Sequence, residues 1–254
     1  MKQAYPILEF DPNPEAIIEP SKVIKPKDIP EHCVLCFFQE VIKKHCAEKN
    51  AKIITQVKSE TGIFPVYEII KHDKRLAVVH PGVGAPLAAA VLEEMIAHGC
   101  RKFIACGVAG VLDREIAAGH IIIPAVAVRD EGTSYHYLPP GREVEATPEA
   151  VTAIEKVLNR QDVKYLVTKT WTTDAFYRET PAKVQMRQAE GCLTVEMEAA
   201  AFFAVAQFRR VQFAQLLYSG DDVSGETWDS RGVFRRSPAR ETLFNLAAEA
   251  CLEL

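Results

Sequence analysis

The chain has 254 residues, of which 30 are basic, 34 are acidic and 48% are hydrophobic. These values exclude a disordered chain, and the net charge of −4 argues against a nonspecific nucleic-acid binder, which usually carries a basic excess. No apolar run reaches the length of a membrane span, and residues 1–15 lack the apolar stretch of a signal peptide. The seven cysteines are odd in number and scattered, which favours a reduced, cytoplasmic protein.

Strands and helices alternate along the chain after a proline-rich start. Six of the 15 prolines fall in residues 1–30, which we predict to be an extended arm in front of a single domain at 31–254. The predicted strands are 33–38, 52–58, 64–71, 76–80, 103–106, 121–128, 166–171 and 211–218. The predicted helices are 39–49, 86–98, 148–160, 181–190, 197–209 and 238–254. This alternation predicts an α/β fold with a parallel or mixed sheet covered by helices on both faces.

Two glycine-containing segments follow predicted strands. Gly82-Val-Gly84 comes after 76–80, and Gly107-Val-Ala-Gly110 comes after 103–106. Ligands of such sheets bind at the carboxyl ends of strands, where glycine lets the backbone approach them closely. The dinucleotide fingerprint is not met, because Leu87 stands where its third glycine would be. We interpret the two segments as turns on either side of a crevice; the alternative is close packing of strand on helix.

Two further strand ends carry groups suited to a heterocyclic ligand. In the segment 172–178, Phe176 could stack on a flat ring, and Arg178 could meet a carbonyl or an anion. Asp221 follows the predicted strand 211–218 and is well placed to act as an acid. A helix-entry loop and a capping turn are the corresponding structural explanations.

Two carboxylates, Glu196 and Glu198, bracket Met197 just before an apolar helix. Carboxylates are good acceptors for vicinal hydroxyl groups, so this pair suits a sugar. Negative charge at the start of a helix, which the helix dipole favours, is the alternative explanation.

Taken in order, these segments resemble the nucleoside phosphorylase family, which includes purine and uridine phosphorylases and nucleosidases. The most specific segment is Val195-Glu-Met-Glu-Ala-Ala-Ala201, which is similar to the ribose-binding signature of the family. The resemblance covers about 33–250 and implies a three-layer αβα sandwich around a twisted mixed sheet. It also implies a cytoplasmic nucleotide-salvage enzyme that cleaves the N-glycosidic bond of a nucleoside without a cofactor. A homo-oligomer, a dimer or a hexamer, is the expected assembly, with no nucleic-acid or membrane partner.

The resemblance implies a role for each residue of the site. Glu198 would bind the 2′ and 3′ hydroxyls of the ribose, Phe176 would stack on the base, and Asp221 would protonate the base nitrogen as the glycosidic bond breaks. From the residues and the resemblance together, we predict as substrate-binding residues Gly82, Gly84, Gly107, Val108, Ala109, Phe176, Arg178, Glu196, Met197 and Glu198, with Asp221 as the catalytic residue and no metal.

The chain departs from this family at the positions that bind phosphate. Ala105, Val108 and the segment 33–40 lack the usual ligands, so another cation such as Arg129 or an arginine of a neighbouring subunit would hold phosphate, or water would attack instead. Three functions remain open: phosphorolysis to base and ribose 1-phosphate, phosphate-independent hydrolysis, and nucleoside binding without phosphate chemistry. The preference for purine or pyrimidine also remains open.

Overall fold

A computed structural model describes residues 2–232 and 237–254. The strands in these ranges are β1 (His32–Cys36), β2 (Lys52–Ser59), β3 (Gly62–Lys71), β4 (Lys74–Val79), β5 (Lys102–Val111), β6 (Ile121–Asp130), β7 (Glu143–Glu145), β8 (Tyr165–Thr173), β9 (Cys192–Glu196) and β10 (Gln212–Asp222). The α-helices are α1 (Pro20–Val23), α2 (Gln39–Ile42), α3 (Ala85–His98), α4 (Pro148–Arg160), α5 (Pro181–Ala189), α6 (Ala199–Arg209) and α7 (Ser237–Leu252). A π-helical turn, Lys43–Ala47, continues α2.

The described strands form one mixed sheet in the order β10-β6-β8-β9-β5-β1-β4-β3-β2, with β7 paired to β6. Strand β1 runs parallel to both β4 and β5, whereas β2 and β3 are antiparallel additions at the edge. Because β5 also pairs with β10, the strands β5, β10, β6, β8 and β9 close into a ring. The predicted α/β class and mixed sheet are confirmed, and the ring positions the site described below.

Helices cover this sheet in packed pairs, α3 with α6 and α4 with α7. Helix α6 is apolar all round, and its residues Ala199–Ala206 are buried between α3 and the sheet. Helix α4 instead buries only one face, on which Ile154 and Val157 are fully enclosed. The short β7 and β9 were not predicted as strands, since three to five residues carry too little pattern to separate them from loops.

The arm, residues 2–30, contains a 3-10 turn at Pro6–Leu8 and the single-turn helix α1. It is attached to the domain through Arg209, which pairs with Glu19 at 3.0 Å and with Glu93 of α3 at 2.8 Å. Ile17 remains fully exposed. The division into arm and domain stays a prediction.

All seven cysteines are buried free thiols. Cys33 and Cys36 lie in β1 with no exposed surface and are therefore core thiols. No helix of the described ranges is both long and apolar enough to cross a membrane.

Candidate functional site

The turn between β4 and α3 has a backbone conformation that glycine permits and that a hydrogen bond to histidine stabilises. Gly82 and Gly84 have φ of 80° and 88°, which side-chain-bearing residues rarely adopt. A Cβ on Gly82 would also lie 2.4 Å from Leu87 Cγ, so only glycine fits there. The Gly82 N–H donates to His80 Nδ1 at 2.9 Å, and the other ring nitrogen of His80 lies 3.2 Å from the Phe37 carbonyl oxygen. The turn predicted around Gly82 and Gly84 is present and its backbone is fixed.

Glu196 ends β9 and caps the helix that follows. Its Oε2 accepts the N–H groups of Glu198 and Ala199 at 2.7 and 2.6 Å, and its Oε1 accepts the Thr172 hydroxyl at 2.6 Å. Thr172 Oγ1 in turn accepts the Ala200 N–H at 3.0 Å. Burial raises the pKa of Glu196 to about 7, although these donors act in the opposite direction. The structure thus gives both oxygens of this carboxylate a capping role, and its predicted contact with ribose stays a prediction.

Glu198 connects the signature segment to the glycine turn. Its Oε1 accepts the Gly84 N–H at 2.6 Å, and its side chain is 6% exposed. Burial, followed by the charge of Glu196, raises the pKa of Glu198 to about 8. Met197 lies between the two carboxylates and is partly buried. Two of the predicted segments, Gly82–Gly84 and 196–198, therefore meet directly.

The segment Gly107–Ala109 belongs to β5 rather than to a turn, so the predicted end of that strand at 106 is wrong. Small residues carried the prediction, but the partner strand β10 extends the pairing as far as Val111. On its other edge, β5 pairs with β1 up to Cys106 and with β9 from Gly110 onward. Gly107, Val108 and Ala109 consequently lie where β5 passes from one partner to the next. That this gap forms the floor of the predicted crevice stays a prediction.

The segment after β8 is exposed, in contrast to these buried groups. Phe176 and Arg178 lie in a 3-10 turn, and Phe176 is 51% exposed with its ring 4.1 Å from that of Tyr177. The neighbouring Asp174 accepts the Gly132 N–H at 2.8 Å, which ties this segment to the loop after β6. Phe176 is thus available to a planar ligand rather than buried in the core.

Asp221 lies inside β10, one residue before its end, rather than beyond the end predicted at 218. Its Oδ1 lies beside β5, 3.5 Å from where a Cβ on Gly110 would be. Burial, followed by the charge of Asp221, raises the pKa of Glu179 to about 7. Trp228 Nε1 donates to Asp221 Oδ2 at 2.7 Å.

Arg129, which the sequence offered as a substitute ligand for phosphate, is occupied elsewhere. Its Nε donates to Ser134 Oγ and its Nη1 to the Pro139 carbonyl, both at 2.8 Å, and its guanidinium stacks on Tyr135. The side chain is 5% exposed, and burial lowers its pKa. Arg129 therefore shapes the loop after β6, and the suggestion that it binds phosphate is wrong.

Sequence reasoning missed four residues that support the site: His80, Thr172, Glu179 and Trp228. None of them lies in a recognisable spacing. In the sequence, the only signal for Thr172 and Glu179 is that they lie a few residues from Phe176. Trp228 becomes recognisable only in the structure, where it is an exposed aromatic residue with a polar partner. No group of three or more potential metal-ligating side chains occurs in the described residues.

Comparisons with known proteins agree with this geometry. Residues 31–251 match the family model of the phosphorylase superfamily, and the chain belongs to that superfamily. It is 32% identical to a guanosine phosphorylase of Halorubrum lacusprofundi over 52% of its length and 55% of the relative's. It is 30% identical to a uridine phosphorylase of Treponema pallidum over 56% and 59%. The matched region thus spans little more than half of these curated relatives.

A crystal structure of purine nucleoside phosphorylase from Toxoplasma gondii superposes with a TM-score of 0.76 at 19% identity, covering 89% of this chain and 92% of that one. At this identity the likeness establishes the fold. The resemblance stated from the residues, to the nucleoside phosphorylase family, is confirmed by the family match.

Proposed function

We propose that this protein cleaves the N-glycosidic bond of a nucleoside, by phosphorolysis to the free base and ribose 1-phosphate. The observation that carries the proposal is Glu198, a buried carboxylate that accepts a hydrogen bond from the Gly84 N–H of the glycine turn. Such a carboxylate suits the vicinal hydroxyls of ribose, since it can accept a hydrogen bond from each of them. Membership of the phosphorylase superfamily supports the same reaction.

In this proposal each residue on the ribose side of the site has a separate role. Glu198 holds the 2′ and 3′ hydroxyls, with Met197 beside it, and Glu196 keeps the segment in place as the cap of α6. Backbone groups of Gly82, Gly84 and the segment Gly107–Ala109 line the crevice on the side of the anomeric carbon.

On the opposite side, Phe176 stacks on the base, and Arg178 interacts with its polar edge. Asp221 gives a proton to the departing base. The transition state carries positive charge on the ribose, so nearby carboxylates and an acid at the leaving group both favour it.

Phosphate is the proposed co-substrate, and no cofactor is proposed. The observation that favours hydrolysis as a second candidate is the set of Ala105 and Val108 at the family's phosphate positions together with the occupied guanidinium of Arg129. Water would then attack the anomeric carbon and give free ribose.

We further propose a cytoplasmic homo-oligomer, a dimer or a hexamer, that works in nucleoside salvage. Seven buried free thiols are compatible with a reducing compartment. In such an assembly a cation of a neighbouring subunit can complete the phosphate site.

The deciding experiment follows base release from guanosine, inosine, adenosine and uridine by the full-length protein, with and without phosphate. We expect release that requires phosphate, with ribose 1-phosphate as the second product. Equal release without phosphate, with ribose as product, would assign hydrolysis instead. Saturable binding without release from any nucleoside would reject an enzyme and leave a binding protein.

A further inference from the structure

The loop that follows β10 returns to the strand it leaves. Asp222 and Asp229 exchange two backbone hydrogen bonds, with the Asp222 N–H donating to the Asp229 oxygen at 2.8 Å and the Asp229 N–H to the Asp222 oxygen at 3.0 Å. This pairing closes residues 223–228 into a loop, called here the return loop. Trp228 directly precedes Asp229, so the closure brings its side chain back to the end of β10.

A buried ion pair fixes the base of the return loop. Arg231 Nη2 donates to Asp222 Oδ2 at 2.7 Å, and Nη1 donates to the Ile116 carbonyl oxygen at 2.7 Å. The two side chains of this pair are only 14% and 9% exposed. Ion pairs that are largely withheld from water hold their geometry better than exposed ones, so the base of the loop is well defined.

Packing does not explain the position of Trp228 at the closing end of the return loop. Its side chain is 61% exposed, which is unusual for so large an aromatic group. The specific contact that it makes is the hydrogen bond from Nε1 to Asp221 Oδ2, at 2.7 Å. The other oxygen, Oδ1, lies on the side of Gly110. The two oxygens of Asp221 therefore have different surroundings before any ligand binds.

We propose that Trp228 is a positioning residue that keeps Oδ2 of Asp221 as an acceptor, so that Oδ1 carries the proton that is transferred to the base of a purine nucleoside. The proposal rests on the proposed function. As the bond from the anomeric carbon to N9 of the purine breaks, a phosphate oxygen bonds to that carbon. The electron pair of the broken bond passes into the base, and N7 takes the proton from Oδ1. Asp221 is left as a carboxylate, and solvent restores its proton after the products leave.

The Trp228 N–H contributes most at the moment of proton transfer. Hydrogen bonds to ionised acceptors are stronger than those to neutral acceptors, so this bond strengthens as Asp221 acquires negative charge. An interaction that strengthens in the transition state raises kcat and leaves ground-state binding nearly unchanged. Trp228 thus acts on the step in which Asp221 loses its proton, without touching the substrate.

The test compares Trp228→Phe with the wild type on two substrates in the presence of phosphate. Guanosine needs a proton on its base for departure, whereas 7-methylguanosine already carries a positive charge there. We expect kcat with guanosine to fall about tenfold and kcat with 7-methylguanosine to change less than about twofold. KM for guanosine should also stay within about twofold, as expected for an effect confined to the transition state.

Thr227→Ala is the matched control, since it alters the adjacent exposed position of the return loop and leaves the indole in place. This variant should have the wild-type kcat with both substrates. An equal loss on guanosine and 7-methylguanosine in Trp228→Phe would assign a merely structural role and overturn the proposal, as would no loss on either.

The outcome also separates this proposal from the function on which it rests. Cleavage of uridine without cleavage of any purine nucleoside would overturn the role of Trp228 and leave nucleoside cleavage standing. Failure to cleave any nucleoside would overturn both.

Discussion

The two parts of the proposed site differ in how far their side chains are buried and hydrogen-bonded. The first part, called here the carboxylate wall, consists of Gly84, Thr172, Glu196 and Glu198, whose polar groups bond to one another. The second, called here the aromatic rim, consists of Phe176, Arg178, Asp221 and Trp228, which are exposed or only partly buried. The wall is held together by buried hydrogen bonds, so little ordering is needed when a ligand binds there. Phe176 and Trp228 of the rim are more than half exposed, although a hydrogen bond joins Trp228 to Asp221.

This difference predicts separate consequences for mutation. Substitutions in the carboxylate wall should alter ligand affinity and protein stability, because its members support one another. Substitutions in the aromatic rim should alter turnover or affinity and leave the fold intact. The following expectations run from the largest effect to the smallest.

Asp221→Asn tests whether the aromatic rim supplies the proton. We expect kcat for purine nucleosides to fall about 100-fold, the usual contribution of a positioned general acid, with little change in KM. Steady-state kinetics measure the effect, and Asp162→Asn in the exposed turn after α4 is the control. Unchanged turnover in Asp221→Asn would place the proton donor elsewhere and remove the chemical distinction between rim and wall.

Glu198→Gln tests the ligand-binding role of the carboxylate wall. We expect nucleoside affinity to fall about 30-fold, because an amide replaces the acceptor of two hydroxyl hydrogen bonds. Isothermal titration measures the affinity, and Glu115→Gln at an exposed position is the matched control. Wild-type affinity in Glu198→Gln would contradict the assignment of ribose to this wall.

Thr172→Val tests the internal bonding of the wall. The change keeps the shape of a fully buried side chain but leaves Glu196 Oε1 and the Ala200 N–H without their partner. We expect the free energy of unfolding to fall by about 2 kcal/mol, the cost of unpaired buried polar groups. Denaturant titration at constant pH measures it, and a loss within error of zero would show that the wall does not depend on this hydroxyl.

Phe176→Ala is the corresponding change in the rim. Loss of ring stacking should raise KM about fivefold, while thermal stability stays unchanged because the ring is half exposed. Tyr177→Ala, at the more exposed neighbouring position, is the control. A clear loss of stability in Phe176→Ala would mean that the rim is as ordered as the wall.

Apart from these mutational effects, the pH dependence of stability tests the carboxylate wall. The pKa of Glu198 is raised to about 8, so the native state binds a proton more tightly than the unfolded chain does. The stabilising contribution is present at low pH and is lost as pH rises through this value. Denaturation between about pH 5 and pH 9 should show a smaller decline in Glu198→Gln than in Glu115→Gln. If the free energy of unfolding declined equally with pH in the two variants, the raised pKa of Glu198 would be contradicted.

The sequence allowed most of the fold and part of the site to be predicted. Apolar runs bounded by glycine and proline located the longer strands and helices, because local patterning decides them. The closure of β5 on β10 could not be predicted, since the partners are about 100 residues apart in the chain and neither carries a local signal for the other.

In the site, too, the features marked by local sequence were predicted and those that depend on distant partners were not. Glu198 and the turn of Gly82 and Gly84 were found because a motif marks each of them. Gly107–Ala109 was assigned to a turn because small residues favour one, but pairing with β10 overrides that preference. Thr172 and Trp228 were missed because their importance comes from partners that are distant in sequence or reached only through loop closure.

The placement of the two tryptophans gives the protein two optical reporters that respond to different events. Trp171 has no exposed surface, and its indole bonds to Asp130 inside the fold. Trp228 is 61% exposed and bonds to Asp221. Acrylamide will therefore quench the fluorescence of Trp228 in the native protein, whereas that of Trp171 becomes accessible only on unfolding. The exposed loop and the folded core can thus be followed separately in the same unlabelled sample.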